Sequence, residues 1–149
     1  MDLLNPARPI DLSDPEWKIY FRNPVMPPHY ASAGSVIQNS LVSEGCDISG
    51  GVDFSVLFSG VIIEPGAQVN DSIVMSGAVI KMGAVINYAI IGEGAVVCEN
   101  AVVGARPEDI EDKNKWGVTV VGPNITVGPA AQVAAKTVVS SDLKGGDLL

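Results

Sequence analysis

Residues 53–69, 70–86 and 87–103 read DFSVLFSGVIIEPGAQV, NDSIVMSGAVIKMGAVI and NYAIIGEGAVVCENAVV, and the three segments superimpose without gaps. A fourth segment, 38–52 (QNSLVSEGCDISGGV), joins them after a two-residue deletion. A fixed internal period is the mark of a solenoid. Within each unit the large aliphatics recur at steps of five, six and six, giving three columns. They are Leu57, Val74 and Ile91; Ile63, Ile80 and Val97; and Val69, Ile86 and Val103, with Val42, Ile48 and Val52 beginning the same columns in the shortened unit. Steps of five and six do not keep one face at 3.6 residues per turn, so a helix is excluded.

Two positions before each large residue stands a smaller one. One column is Ser40, Ser55, Ser72 and Ala89; another is Cys46, Val61, Ala78 and Ala95; a third is Ala67, Ala84 and Ala101. A spacing of two puts both residues on the same side of a strand, because strand side chains alternate. Gly45, Gly60, Gly77 and Gly94 precede the second small column, and Gly66 and Gly83 the third. Glycine at these places allows the positive φ of a tight corner. The pattern therefore predicts a triangular coil of three short strands and three corners, each unit stacked on the next. Every large aliphatic points to the axis, and its full burial is worth roughly 1.5–3 kcal/mol. A single coil has nothing to bury against, so stability comes from stacking. The serine column is placed to form a hydrogen-bond ladder inside the prism.

The rest of the chain is read against this repeat. Residues 1–30 hold most of the prolines, Pro24, Pro27 and Pro28 among them, together with Trp17, Tyr20, Phe21 and Tyr30. This composition predicts a semi-rigid, extended arm whose aromatics pack on the open side or end of the prism. Residues 31–103 are the main coils. Residues 104–117 are charged and irregular and read as a loop leaving the prism. The repeat resumes over 118–140, where Val121, Val127, Val133 and Val139 fall six apart, preceded at two by Thr119, Ile125, Ala131 and Thr137. Residues 141–149 are polar and Gly-containing and read as a frayed tail.

Composition bounds the function. The 149 residues are 47% hydrophobic but only 5% aromatic, which suits a core of Val, Ile, Leu and Ala in regular rows. The mean hydropathy of +0.30 comes with no apolar run long enough to cross a bilayer, and residues 1–9 lack the organisation of a signal peptide. A cytoplasmic protein is expected. The net charge is −8 and no basic run is present, so neither nucleic acid nor an anionic membrane is an expected partner. Two cysteines are too few for a disulfide framework or a zinc cluster, and no cofactor or metal is implied.

His29 is the only histidine and lies outside the coils, whereas a hexapeptide acyltransferase uses a histidine as base and a zinc site of the carbonic-anhydrase kind needs three. Cys46 belongs to an inward column and is expected to be core. Cys98 shares a corner position with Glu64 and Lys81 and is expected to be exposed. Neither Ser55 nor Ser72 has a His or Asp in position to make it a nucleophile. The acidic run Glu108, Asp109, Glu111 and Asp112 alternates with Lys113 and Lys115 as a solvated loop does.

The repeat resembles the hexapeptide pattern of left-handed β-helix proteins, with Ile91-Gly92-Glu93-Gly94-Ala95-Val96 a clear copy. The left hand is implied by that resemblance, since general chirality rules favour right-handed crossovers. More specifically, NPVMPPHY, NSLVSEGCDISG and SVLFSGVIIEPGAQVNDSIVM, with MDLLNP and WKIYFRNP ahead of them, resemble the connector and C-terminal β-helix of bacterial glucose-1-phosphate adenylyltransferase (ADP-glucose pyrophosphorylase). The resemblance runs from about Met1 to beyond Val103 and is looser after Gly104.

It implies a domain of an enzyme that makes ADP-glucose from ATP and glucose 1-phosphate for glycogen synthesis. There the β-helix serves subunit contacts and effector binding at its junction with the catalytic domain. The Gly-rich nucleotide loop of G-G-x-G-T-R-L type is missing from this sequence, so no catalytic residue carries over and the chain alone is expected to be inactive. The corners comparable to effector-binding arginines hold Glu93 and Pro123. Arg8, Lys18 and Arg22 in the connector are the candidates for an anion site taking a phosphorylated effector. The implied partners are the nucleotidyltransferase catalytic domain or its subunits and further copies of the chain. The rival readings are a hexapeptide acyltransferase and a structural scaffold.

Overall fold

The computed structural model describes Glu16 and residues 25–149. Among these residues every strand is parallel to its neighbours, and eighteen short strands form three six-stranded sheets. The chain visits the three sheets in turn, so they are the three faces of a parallel β-helix. The first face stacks Tyr30–Ala31, Asp47–Ile48, Ile62–Ile63, Val79–Ile80, Val96–Val97 and Thr126–Val127. The second stacks Val36–Gln38, Gly51–Asp53, Gln68–Asn70, Val85–Asn87, Val102–Val103 and Gln132–Val133. The third stacks Leu41–Val42, Val56–Leu57, Ile73–Val74, Ala89–Ile91, Thr119–Val121 and Val138–Val139.

Register follows the repeat. Val79 pairs with Ile62 and Val96, Val85 with Gln68 and Val102, and Ile90 with Ile73 and Val120. Equal residues therefore lie directly above one another, and the inward columns form one continuous core. Ile48, Leu57, Ile63, Val69, Val74, Ile80, Ile86, Ile91, Val97 and Val103 are sealed from solvent, with Val121, Val127, Val133 and Val139 extending the core. The small columns are buried beside them. Cys46, Val61, Ala78 and Ala95 line one inner edge, and Ala67, Ala84 and Ala101 another.

The step of five comes from the corner between the second and third faces. A single residue makes that turn, and each adopts a left-handed conformation: Asn39 (φ 45°), Phe54 (φ 44°), Asp71 (φ 48°) and Tyr88 (φ 46°). The conformation costs roughly 1–2 kcal/mol for an L residue, and Asn and Asp tolerate it better than an aromatic does. The serine column supports these corners from inside. Ser40, Ser55 and Ser72 each donate Oγ–H to the carbonyl two residues earlier, at 2.6, 2.7 and 2.6 Å. The same oxygens accept the amides of Ser55, Ser72 and Ala89 from the next coil, at 3.0, 3.1 and 3.0 Å. The ladder supplies partners for amides that a one-residue turn aims into the prism.

The shortened unit has its own consequence. The corner at Ser49–Gly50 lacks two residues, and the backbone cuts inward there. A Cβ on Gly50 would meet the carbonyl of Ala67 and lie 2.9 Å from both the carbonyl of Glu64 and Cγ2 of Ile63. Only glycine fits.

Two features depart from the sequence reading. Tyr30 belongs to the first strand of the first face rather than to the arm, pairing with Asp47. The tail does not fray: Leu143 bridges to Val127 and Leu148 to Gln132, and Leu149 exchanges hydrogen bonds with Gln132 and Ala134. Leu143 continues an inward column behind Val127, whereas Leu148 and Leu149 are exposed, and the backbone groups left open by the last coil give the tail its partners. Arg8, Lys18, Arg22, Trp17, Tyr20 and Phe21 lie outside the described residues.

Candidate functional site

The connector meets the prism at one corner. Val25 to His29 run past the turn between the third and first faces, where Gly45 donates its amide to Pro27 O at 2.6 Å and Tyr30 donates to Cys46 O at 2.8 Å. The Met26 side chain covers two stacked glycines; a Cβ on Gly45 would lie 2.9 Å from it, and one on Gly60 3.1 Å. These glycines take positive φ (73° and 72°) and also leave room for the methionine. His29 is exposed here, with no second histidine in the chain. His29 therefore stands at this point without the assembled site that acyl transfer would need. The anion site proposed from Arg8, Lys18 and Arg22 lies outside the described residues.

The two thiols behave differently from each other in sequence but alike in structure. Cys46 is core, as its column predicts, and its Sγ–H donates to Phe58 O at 3.1 Å. Cys98 is not exposed as expected: it is 8% accessible. The turns of neighbouring coils stack above and below this corner, as in the bond from Ala130 N–H to Glu99 O at 2.9 Å. Glu64 and Lys81 in the same column are long enough to reach past that stack; a thiol is not. Burial pushes both thiols up from their ordinary pKa, and for Cys98 the Lys81 ammonium opposes the shift without cancelling it. Neither is the low-pKa thiolate that reactivity requires.

The loop that leaves the fifth coil is pinned at the corner between the second and third faces. Trp116 meets Tyr88 edge to face, with centroids 5.2 Å apart and planes at 77°. Its indole N–H donates to Ala105 O at 2.9 Å, and Lys136 Nζ donates to Asn114 O at 3.2 Å. Asp112 caps the short 3-10 turn Lys113–Lys115 by accepting from the Asn114 amide at 3.1 Å. The acidic residues of the loop are exposed, and among the described residues no group of three or more His, Cys, Asp or Glu side chains converges as a metal site would need. Beneath the loop, Asp71 sits among Asp53, Tyr88, Arg106 and Glu108. Burial raises its pKa, the Asp53 carboxylate adds to the rise, and Arg106 opposes it.

The second face carries a polar groove of about 380 Å³ beside the shortened corner, lined by Gln38, Ser49, Asp53, Gln68 and Asn70 over a glycine floor. It joins an amide ladder in which Asn70 Nδ2 donates to Asn87 Oδ1 at 3.0 Å and Asn39 Nδ2 to Asp53 Oδ1 at 3.3 Å. Asp53 is its one ionisable group, so the groove offers hydrogen bonds but no base–nucleophile pair.

Sequence reasoning missed the outer surface of the third face. The residue before each inward aliphatic there is itself aliphatic: Leu41, Val56, Ile73, Ile90, Val120 and Val138. The signal was present as the doublets LV, VL, IV, II, VV and VV, but the inward residue alone was read. Leu41 and Val138 at the two ends are exposed and the four between them partly so, and Phe58 and Met75 at the adjoining turn are exposed.

Comparison with known proteins places this architecture. The GlmU-like C-terminal hexapeptide family matches residues 28–127. The chain belongs to that family. The glucose-1-phosphate adenylyltransferase of Acetivibrio thermocellus is 41% identical over 144 residues, which cover 93% of this chain and 34% of that protein. The enzyme of the same name from Bacillus anthracis is 45% identical over 71 residues, 48% of this chain and 19% of that protein. The chain thus spans about a third of the length of the first relative, and it is homologous to the C-terminal part of glucose-1-phosphate adenylyltransferase. Among solved structures, the acetyltransferase domain of PglB from Neisseria gonorrhoeae superimposes with a TM-score of 0.59 at 22% identity, covering 79% of this chain and 52% of that one. At that identity the likeness is one of fold. Among the described residues no helix is long and apolar enough to cross a membrane.

Proposed function

We propose that this chain is the regulatory and assembly domain of a cytoplasmic glucose-1-phosphate adenylyltransferase, acting on a nucleotidyltransferase domain that carries the chemistry. The observation that supports this most is 41% identity over 93% of the chain to such an enzyme, on a hexapeptide prism that assembles no catalytic set among its described residues. The physical role follows from stiffness. A prism whose coils are locked in register holds the domains attached to it in fixed relative positions. An effector bound where connector and prism meet then shifts an equilibrium between two arrangements by binding one of them better. The connector cations Arg8, Lys18 and Arg22 are the candidates to hold a phosphorylated effector, and further copies of the chain are the candidate assembly partners.

The test is ADP-glucose formation from ATP and glucose 1-phosphate by a separately expressed catalytic domain, with and without the purified chain. The chain alone is expected to form none, and its addition to change the rate or the response to phosphorylated effectors. Activity of the chain alone, or a catalytic domain indifferent to it at every concentration, would overturn the reading.

A further inference from the structure

We propose that the groove on the second face is a binding site for a neutral saccharide, held by hydrogen bonds to its amide and carboxylate side chains. The site goes beyond the regulatory reading and does not depend on it. Its shape comes from the shortened unit. The outward residues that begin the strands of this face are Val36, Gly51, Gln68, Val85, Val102 and Gln132, and Gly51 alone has no side chain. The corner before it cuts inward at Gly50, where a Cβ would meet backbone. Together the two glycines open a groove of about 380 Å³, a size within the roughly 300–1,000 Å³ of small-molecule sites. Glycine inside a strand often marks the close approach of a ligand. The Gln68 amide lies where a Cβ on Gly51 would be, so the floor itself carries a donor and an acceptor.

The polar groups around the groove still have capacity. Among the described residues the side chains of Gln38, Ser49 and Gln68 make no hydrogen bond within the chain. Asp53 accepts the Asn39 amide on Oδ1, and Asn70 donates Nδ2 to Asn87, which leaves Asp53 Oδ2 and Asn70 Oδ1 open. Gln38, Asp53 and Asn70 are in register, so with strands ~4.8 Å apart they form a row ~10 Å long. Amides offer a donor and an acceptor side by side and a carboxylate oxygen accepts, which matches the hydroxyls around a sugar ring. Val36, 56% accessible, supplies an apolar edge for the C–H face of the ring. Other ligand classes fit less well. Asp53 is the one ionisable group of the groove, Asp71 lies close enough to feel its charge, and the chain carries −8; an anion is repelled. A cation gains one exposed carboxylate, which is worth little in water. No aromatic ring among the described residues lines the groove, so a nucleobase has nothing to stack on.

The test is a 1H–15N NMR titration of the full chain with glucose, galactose, mannose, maltose and cellobiose, and with glucose 1-phosphate as the charged counterpart. At least one neutral sugar is expected to bind with a Kd on the order of 1 mM, as a ligand of this size in an open groove allows. Its shifts should fall on the side-chain NH2 groups of Gln38, Gln68 and Asn70 and on the amides of Gly50 and Gly51. Gln68→Ala should weaken binding about fivefold, the effect of one hydrogen bond. Gly34→Leu should abolish it: Gly34 lines the groove, a Cβ there meets nothing within 4 Å, and its backbone is not left-handed. Circular dichroism should show that variant folded. Gln132→Ala, near the far end of the same face, should change nothing. Silence from every neutral sugar at about 50 mM, far above that constant, would overturn the proposal. Shifts that survive Gly34→Leu, or glucose 1-phosphate binding the same residues more tightly than the best neutral sugar, would also overturn it.

Discussion

Replacing Ser72 by Ala removes one oxygen from the inside of the prism and should cost far more than an oxygen on its surface. Ser72 is 1% accessible. Its hydroxyl donates to Asn70 O at 2.6 Å and accepts the Ala89 amide at 3.0 Å. The two partners fare differently on substitution. Asn70 O also accepts from the Tyr88 amide at 3.2 Å and so keeps a partner. The Ala89 amide gives its bond to this hydroxyl, and Ala89 is buried at 2%. An orphaned buried donor costs about 1–3 kcal/mol, and the lost bond to the carbonyl about 1 kcal/mol more. The expected destabilisation is therefore about 2–4 kcal/mol. For a domain of this size that lowers Tm by about 4–16 °C, read by thermal melts followed at the β-sheet dichroism band. Ser40→Ala, in the partly exposed first rung of the ladder, should cost less. If Ser72→Ala melts within about 1 °C of wild type, the ladder is not what supports the one-residue corners, and the strain at Tyr88 and Asp71 must be relieved elsewhere.

Further outcomes are open to measurement. Gly50→Ala should destabilise by at least about 2 kcal/mol or prevent folding, because its Cβ meets backbone and the Ile63 side chain; Gly77→Ala, at φ 68° with open space around its Cβ, should cost only the roughly 1–2 kcal/mol of the left-handed conformation. The two variants can be ranked by urea midpoint. Cys98 should react with a thiol reagent at neutral pH many-fold more slowly in the folded chain than in urea, as should Cys46, since burial keeps both thiols protonated; equal rates would mean the corner opens readily. The raised pKa of Asp71 means that the folded state holds this proton more tightly than the unfolded state. Stability from that proton is complete below the unfolded pKa of about 3.9 and is lost as pH rises through the folded value. Asp71→Asn should therefore leave stability unchanged at pH 3 and raise it relative to wild type near neutrality, in urea titrations at the two pH values.

The prism was legible because its geometry is written in side-chain size. The large columns through Leu57, Ile63 and Val69 and the small ones through Ser55, Val61 and Ala67 specify which residues face the axis, and the structure buries them through the middle coils, leaving Ser40, Val42 and Thr137 near the ends partly open. The two-residue deletion in the fourth unit was visible, but its place at the Ser49–Gly50 corner comes from the structure. What the sequence did not disclose depends on neighbours that period alone does not supply. Cys98 was placed at an exposed corner because Glu64 and Lys81 occupy that column, yet accessibility there depends on side-chain length against the stacked turns. The ordered tail was hidden because Leu143, Asp147 and Leu149 are held by backbone hydrogen bonds to the last coil, which composition does not record. The apolar third face was visible as doublets, but inward and outward aliphatics look alike until a register is fixed. The connector junction could be inferred only as a place; that Met26 seats on Gly45 and Gly60 needed coordinates.

The loop between Val103 and Thr119 enters and leaves the prism at a corner that in earlier coils is turned by one residue. Even so, Ala89, Ile90 and Ile91 pair with Thr119, Val120 and Val121 as though nothing intervened. Registration of the stack is set by rungs meeting rungs, and the length of chain between them is immaterial to it. A corner of this kind is therefore a mounting point. Segments can be lengthened, exchanged or removed there over evolutionary time without retuning the core, so new recognition can be added to the domain at little cost to the part that keeps it rigid.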